Sequence, residues 1–198
     1  MKDAEVTGLI LAGGQGRRMG GIDKGLQPFR GRPMVEWVVE RLAPQVGALL
    51  INCNQNLDAY ARLGHAVVPD RIGGFAGPLA GLHAGLGEAR TPLVATAPCD
   101  SPFLPPDLVS RLRAALEAQQ AQLAVARTGT QPHPVFSLCR RDLLDHLSQY
   151  LAGGGRKIDA WYAALRVAEV AFDDEAEAFA NINTREELES LARADRLP

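Results

Sequence analysis

The sequence predicts a three-layer α/β/α sandwich built on a mainly parallel sheet. Three observations carry this expectation: short apolar runs recur along the chain, longer helical segments separate them, and the connections are long enough to return each strand parallel to the last. Crossovers of this kind place helices on both sheet faces and bring ligands to the carboxyl ends of the strands. At about 150 residues per domain, the 198 residues amount to a single domain, 1–198.

The apolar stretch 6–11 opens the sheet, and Pro33 stands at a plausible first helical position for a helix through Leu42. Strands are expected at 48–53, 66–68 and 93–97. Pro78 opens a helix to Glu88, and Pro105 with Pro106 opens another over 107–120. Two further strands follow at 123–126 and 135–138. After about residue 130 the rhythm changes to a helix at 140–151, a Gly153-Gly154-Gly155 break, a helix near 158–165 and an acidic loop. Thr184-Arg185-Glu186-Glu187 fits a capping box and places a last helix over 184–193. The region 131–198 therefore reads as an appendage to a 1–130 core rather than as a second core.

Composition excludes several classes. With 46% hydrophobic and 22% charged residues the chain is not globally disordered. The longest apolar run, near 46–51, falls far short of the roughly 18 residues a membrane helix needs. Cys53, Cys99 and Cys139 are odd in number and widely spaced, which supports neither a disulfide frame nor a zinc knuckle. Arg17 and Arg18 follow the first apolar run instead of preceding it, so no export signal is read, and a reducing cytoplasm is the expected setting. A net charge of −2 argues against non-specific nucleic-acid binding. Locally, however, 14–32 carries Arg17, Arg18, Lys24, Arg30 and Arg32 against Asp23 alone, a balance suited to a small anionic ligand. The stretch 169–189 reverses it and is read as a solvated acidic face.

The most informative segment is Leu11-Ala12-Gly13-Gly14-Gln15-Gly16-Arg17-Arg18-Met19-Gly20-Gly21-Ile22-Asp23-Lys24-Gly25, directly after the first strand. Its glycines let backbone N–H groups approach an anion without Cβ obstruction, and its cations supply charge against phosphate oxygens. It is neither of the two commonest phosphate loops. Met19 stands where the dinucleotide pattern requires its third glycine, and Lys24 lies between Asp23 and Gly25 instead of closing a Walker frame.

This run resembles the N-terminal signature of nucleotidyltransferases, and its Gly20-to-Gly25 portion is most similar to the molybdenum cofactor guanylyltransferases. Segments resembling that family recur in order: Ile51-Asn52-Cys53-Asn54, Pro69-Asp70, Gly77-Pro78-Leu79-Ala80-Gly81, Pro98-Cys99-Asp100-Ser101-Pro102, His133-Pro134 and Asn181-Ile182-Asn183-Thr184. The likeness spans nearly the whole chain. It implies a Rossmann-like nucleotidyltransferase sheet and transfer of GMP from GTP to the terminal phosphate of molybdopterin, with pyrophosphate released and Mg²⁺ required. It maps the nucleotide site onto Leu11, Ala12, Gly13, Lys24, Asn52, Asp70 and Asp100, the last also the metal ligand, with no departure at these positions. It further implies that 1–130 selects the nucleotide, while 131–198 serves the pterin and transient contacts with assembly proteins and acceptor molybdoenzymes.

Elementary chemistry adds roles beside the resemblance. Asp100 follows a strand and precedes Ser101-Pro102, so its carboxylate either projects from the sheet edge as a hard oxygen ligand or caps a turn. Lys24 offers the phosphates a point charge, and Arg18 a planar fork. Gly14 belongs to the backbone cradle. Asn52 and Asp70 end short strands and either read a ribose or base edge or form ordinary turns. Gly77 and Gly81 open a helix whose amides can approach the nucleoside, or serve close helix packing. Asn181 and Asn183 either contact ligand or bond locally before the capped helix. His133 stands between two prolines as weak support for a pterin contact, not as a general base. No Ser/His/Asp or Cys/His arrangement is present, which suits an attacking phosphate monoester that is already anionic near neutral pH. Two alternatives stay open: a sister enzyme using CTP or another phosphorylated acceptor, and a silent nucleotide-binding module.

Overall fold

A computed structural model describes residues 2–13, 23–73 and 77–179. Nine strands and six α-helices lie among them. Strand β1 (Asp3–Leu11) leads to a two-stranded hairpin, β2 (Pro28–Phe29) and β3 (Arg32–Pro33), and then to α1 (Met34–Leu42). There follow β4 (Val46–Asn52), α2 (Leu57–Ala61), β5 (Ala66–Val68), α3 (Pro78–Glu88), β6 (Leu93–Pro98) and α4 (Leu108–Ala118). The remainder is β7 (Leu123–Thr128), β8 (Gln131–Arg140), α5 (Leu144–Ala152), α6 (Ile158–Tyr162) and β9 (Val167–Ala171).

Seven strands form one sheet in the order β5-β4-β1-β6-β8-β7-β9. The neighbours β5–β4, β4–β1, β1–β6 and β7–β9 are parallel, while β8 runs antiparallel to both β6 and β7. Side chains alternate between the two faces as the pleat requires. Val6, Ile10, Ile51, Ala95 and Ala97 enter one core cluster, shared with Val35 and Val38 of α1 and Leu112 of α4. Leu9, Leu50, Val94, Leu123 and Val125 enter the other, with Leu82 of α3, Leu147 of α5 and Trp161 of α6. Helices therefore cover both faces, giving the expected three layers.

Several local expectations are corrected. Pro33 does not start α1: Arg30 and Gly31, both at positive φ (48° and 81°), make a two-residue turn that pairs Pro28 with Pro33, and the helix begins at Met34. The 135–138 strand is longer, Gln131–Arg140, and the 140–151 helix begins only at Leu144, after a 3₁₀ turn at Arg141–Leu143. The appendage expected after residue 130 is not one. Strand β8 is inserted between β6 and β7, and β9, read from sequence as the start of an acidic loop, closes the sheet alongside β7. The helix expected over 184–193 lies outside the described residues.

Candidate active site

The carboxyl ends of β1, β4, β5 and β6 meet at one sheet edge. Leu11 lies opposite Asn52 on β4 and opposite Pro98 on β6. Two backbone bonds extend these ladders past the strand ends, from Ala12 N–H to the Asn52 carbonyl (2.7 Å) and from Cys99 N–H to the Leu11 carbonyl (3.1 Å). Gly13 is thus flanked by the chain after β4 on one side and by Cys99-Asp100 on the other. Sequence-distant segments converge here because β1 is the shared neighbour of β4 and β6.

Lys24 opens the 3₁₀ turn Lys24–Leu26 and extends Nζ to Oδ2 of Asp100 at 3.2 Å, in a pair whose side chains are 27% and 15% exposed. Neither group is sealed from solvent, so the pair is open to exchange with a charged ligand instead of being a locked interior bridge. On the other flank, Asn52 is buried and its amide is fully committed. Nδ2 donates to the Val68 carbonyl (3.0 Å) and to Oδ1 of Asp70 (2.9 Å). With both hydrogens used, Oδ1 faces the glycines: a Cβ would lie 3.1 Å from it at Gly13 and 2.3 Å at Gly81. The second Asp70 oxygen accepts from Asn54 Nδ2 (2.8 Å), and Asn54 Oδ1 receives the Asp70 N–H (2.9 Å). Asn52 therefore presents a fixed acceptor, and Asp70 holds it in that orientation.

Gly77 immediately precedes α3 with φ 62° and ψ −149°, a conformation that excludes most side chains. Gly81, four residues on, lets α3 approach Leu11 and Asn52 closely. Leu11, Ala12, Gly13, Lys24, Asn52, Asp70, Gly81 and Asp100 are thus brought to one sheet edge, with Gly77 at the start of the helix that packs on it. Gly14, Arg18, Asn181 and Asn183 lie outside the described residues. His133 lies on β8 where the β7–β8 hairpin runs on past the last β6 pairing, Thr96 with Ser137. Its Nε2 is 2.8 Å from Thr128 Oγ1, its ring stacks on Phe179 at 4.8 Å, and burial lowers its pKa.

Sequence reasoning passed over Asn54, Asn56 and Tyr60 as bonding partners within this edge. Asn54 stood in a quoted motif, but Tyr60 carried no local signal, because its partner Asp23 is 37 residues away.

Cys53 and Cys99 flank the edge as buried thiols, raised by burial first and then by Asp23 and Asp70, or Asp100 and Asp23 respectively; Cys53 is pushed up to about 11. Both are protonated at neutral pH and unsuited to nucleophilic work. Among the described residues no group of three His, Cys, Asp or Glu side chains forms a metal cage. A lone, partly exposed carboxylate beside a lysine fits a hard divalent cation that draws its remaining ligands from phosphate and water.

Gly13 just past β1, with a cation and a carboxylate paired across the switch in strand order, is an arrangement suited to a nucleotide-binding α/β enzyme of the nucleotidyltransferase class. The chain belongs to the molybdenum cofactor guanylyltransferase family: a family model for a MobA-like NTP transferase domain matches residues 8–168. The chain is 58% identical over 189 residues to the molybdenum cofactor guanylyltransferase of Cupriavidus taiwanensis, covering 93% of this chain and 94% of the relative. It is 54% identical over 198 residues to that of Ralstonia nicotianae, covering 96% and 97%. Among solved structures, molybdopterin-guanine dinucleotide biosynthesis protein A from Archaeoglobus fulgidus superposes with a TM-score of 0.75 at 26% identity, covering 93% of this chain and 95% of that one.

Proposed function

We propose that the protein transfers GMP from GTP to the terminal phosphate of molybdenum-bound molybdopterin, releasing pyrophosphate and forming the guanine dinucleotide cofactor. The observation that carries this reading is the convergence of Gly13, the Lys24–Asp100 pair and the Asp70-oriented Asn52 on one sheet edge, in a member of this family. In this reading Lys24 and Arg18 balance phosphate charge, and the backbone of Gly13 and Gly14 cradles it. Asn52, Asp70, Gly77 and Gly81 line the nucleoside side. Asn181 and Asn183 complete the ligand contacts, and residues 131–198 serve the pterin and transient protein partners in the cytoplasm.

A phosphate monoester with a second pKa near 6 is already anionic at neutral pH, so the step requires no protein base. The barrier is then the approach of two anions, which fixed cations and oriented N–H groups lower. Asp100 would hold Mg²⁺, which when bound supplies Lewis-acid charge to the phosphate oxygens.

The test is pyrophosphate release from GTP, CTP, ATP or UTP with Mg²⁺ and a molybdopterin source. Turnover with GTP, lost in Asp100→Ala with an unchanged circular-dichroism spectrum, is expected. Preferential turnover of CTP overturns the guanine assignment; GTP binding without any pyrophosphate release overturns the transferase reading; an active Asp100→Ala removes the metal role from that residue. Among the described residues no helix is long and apolar enough to cross a membrane.

A further inference from the structure

The turn that carries Lys24 is held from below by two side chains that no motif includes. Oδ1 of Asp23 accepts a hydrogen bond from the Tyr60 hydroxyl at 2.6 Å, and Oδ2 accepts one from Asn56 Nδ2 at 3.0 Å. Both carboxylate oxygens of the residue just before Lys24 are therefore engaged, one by a buried donor and one by a surface donor. Gln27 closes the same turn, its backbone N–H donating to the Lys24 carbonyl at 3.1 Å and its Nε2 to the Asp23 carbonyl at 3.4 Å.

The Tyr60 phenol reaches this point from α2 through the core, and its side chain is fully buried. Its hydroxyl passes so close beneath Gly25 that a Cβ there would lie 2.6 Å from it. Packing alone does not require that oxygen, since a phenylalanine ring fills almost the same volume. Asn56 is likewise specialised. It sits at φ 53°, a left-handed conformation that asparagine tolerates better than most side chains, and this turns its amide toward Asp23.

We infer that Tyr60 and Asn56 are positioning residues for Lys24, acting through Asp23. A lysine has a long flexible stem, and its ammonium stabilises a phosphate only to the extent that the backbone end of the stem is fixed. Anchoring both Asp23 oxygens fixes it on the β6 side, where Nζ reaches Asp100 at 3.2 Å. The ligand class concerned is the polyphosphate chain of a nucleotide and not its base or sugar. This rests on the proposed nucleotidyl transfer for its turnover arm, and the binding arm is independent of it.

The experiment compares wild type, Tyr60→Phe and Asn56→Gly, the latter relieving the positive φ while deleting the amide, so that it folds even where the former does not. Each is made with Lys24 intact and in a Lys24→Ala background. Calorimetry measures binding of GTP and of guanosine, and pyrophosphate release gives kcat and KM. About a tenfold loss of GTP affinity and of kcat/KM is expected for Tyr60→Phe, the size of one hydrogen bond to a charged group, and a smaller loss for the solvent-exposed Asn56→Gly. Guanosine affinity stays unchanged, and both effects vanish once Lys24 is alanine, as coupled residues require. Losses that persist in the Lys24→Ala background, or that weaken guanosine as much as GTP, overturn the positioning role and leave a structural one. A wild type that binds GTP without turnover defeats the transferase reading, while the binding comparison still decides this one.

Discussion

Replacing Gly81 by alanine sets two known effects against each other inside a single helix. Alanine in a helix interior is favoured over glycine by roughly 1 kcal/mol, and Gly81 lies within α3. The added Cβ, however, would sit 2.3 Å from Asn52 Oδ1, 2.9 Å from Asn52 Cγ and 2.7 Å from Leu11 Cδ2. Asn52 cannot swing aside cheaply, because it is 2% exposed and its Nδ2 is bonded to Val68 and Asp70. Overpacking costs about 1–3 kcal/mol, and stranding a buried amide hydrogen about 1–3 kcal/mol more. The clash outweighs the helix gain, leaving a net loss of roughly 1–5 kcal/mol. For a chain of this size each kcal/mol lowers Tm by about 2–4 °C. GTP affinity falls in parallel, because the acceptor presented by Asn52 is displaced. Gly87→Ala, in the same helix, is the control: its Cβ would meet only the end of the half-exposed Arg71 side chain, 2.9 Å from Nη1, so the helix gain is retained. Urea unfolding and calorimetric titration with GTP read both quantities. A Gly81→Ala protein as stable as Gly87→Ala, with wild-type affinity for GTP, would refute the close packing of α3 on Asn52.

Asp70→Ala is expected to cost about 1–3 kcal/mol and to weaken GTP binding, since it releases the amides of Asn52 and Asn54 together; urea midpoints and calorimetry test this. Burial lowers the His133 pKa from 6.5, so the unfolded chain binds the proton more readily and stability falls as pH drops through 6.5 toward the folded value. The ring should titrate below 6.5 by NMR, and His133→Gln should flatten the stability difference between about pH 5.5 and 7.5. Arg111 stacks 3.9 Å over Phe172 and pairs with Asp174 at 2.9 Å, tying α4 to the end of β9. Arg111→Met is expected to cost about 1–2 kcal/mol and Asp174→Asn less than Arg111→Met, because the carboxylate is mostly exposed and its pairing screened. Urea unfolding at low and at about 1 M salt separates the two, with the Asp174 contribution disappearing at high salt.

The layered α/β architecture was legible because hydrophobic periodicity is local: the strands at 6–11, 48–53 and 93–97 fall within two residues of β1, β4 and β6 in the core of the sheet, apart from the exposed start of β1. Elements stabilised mainly by distant partners were not. The N-terminal part of β8 contains Pro132 and Pro134, which argue against a strand. It pairs nonetheless, because a register shift between Val125 and Ala126 accommodates the irregularity against β7. Val167-Ala168-Glu169-Val170-Ala171 looks like the edge of an acidic tract until β7 supplies its parallel partner. The 30s hairpin is hidden by a proline whose φ suits a helix start equally well.

For the site, the resemblance of ordered short motifs to a family pointed to Gly13, Lys24, Asn52, Asp70, Gly81 and Asp100, while residue types alone left Asn52, Asp70 and Gly81 open between ligand contact and ordinary turn or packing roles. Roles needed the fold. Where the Asn52 amide hydrogens go was such a question: Val68 on β5 and Asp70 just after it accept them. Tyr60 was silent in sequence and becomes visible only through Asp23. By itself the sequence determined the α/β layering, an anion-suited glycine segment after the first strand and, through its resemblance to a family, the expected chemistry; only tertiary pairing decided which atoms are held, and in what direction, because a hydrogen bond is set by distance and angle between groups that the linear chain leaves far apart.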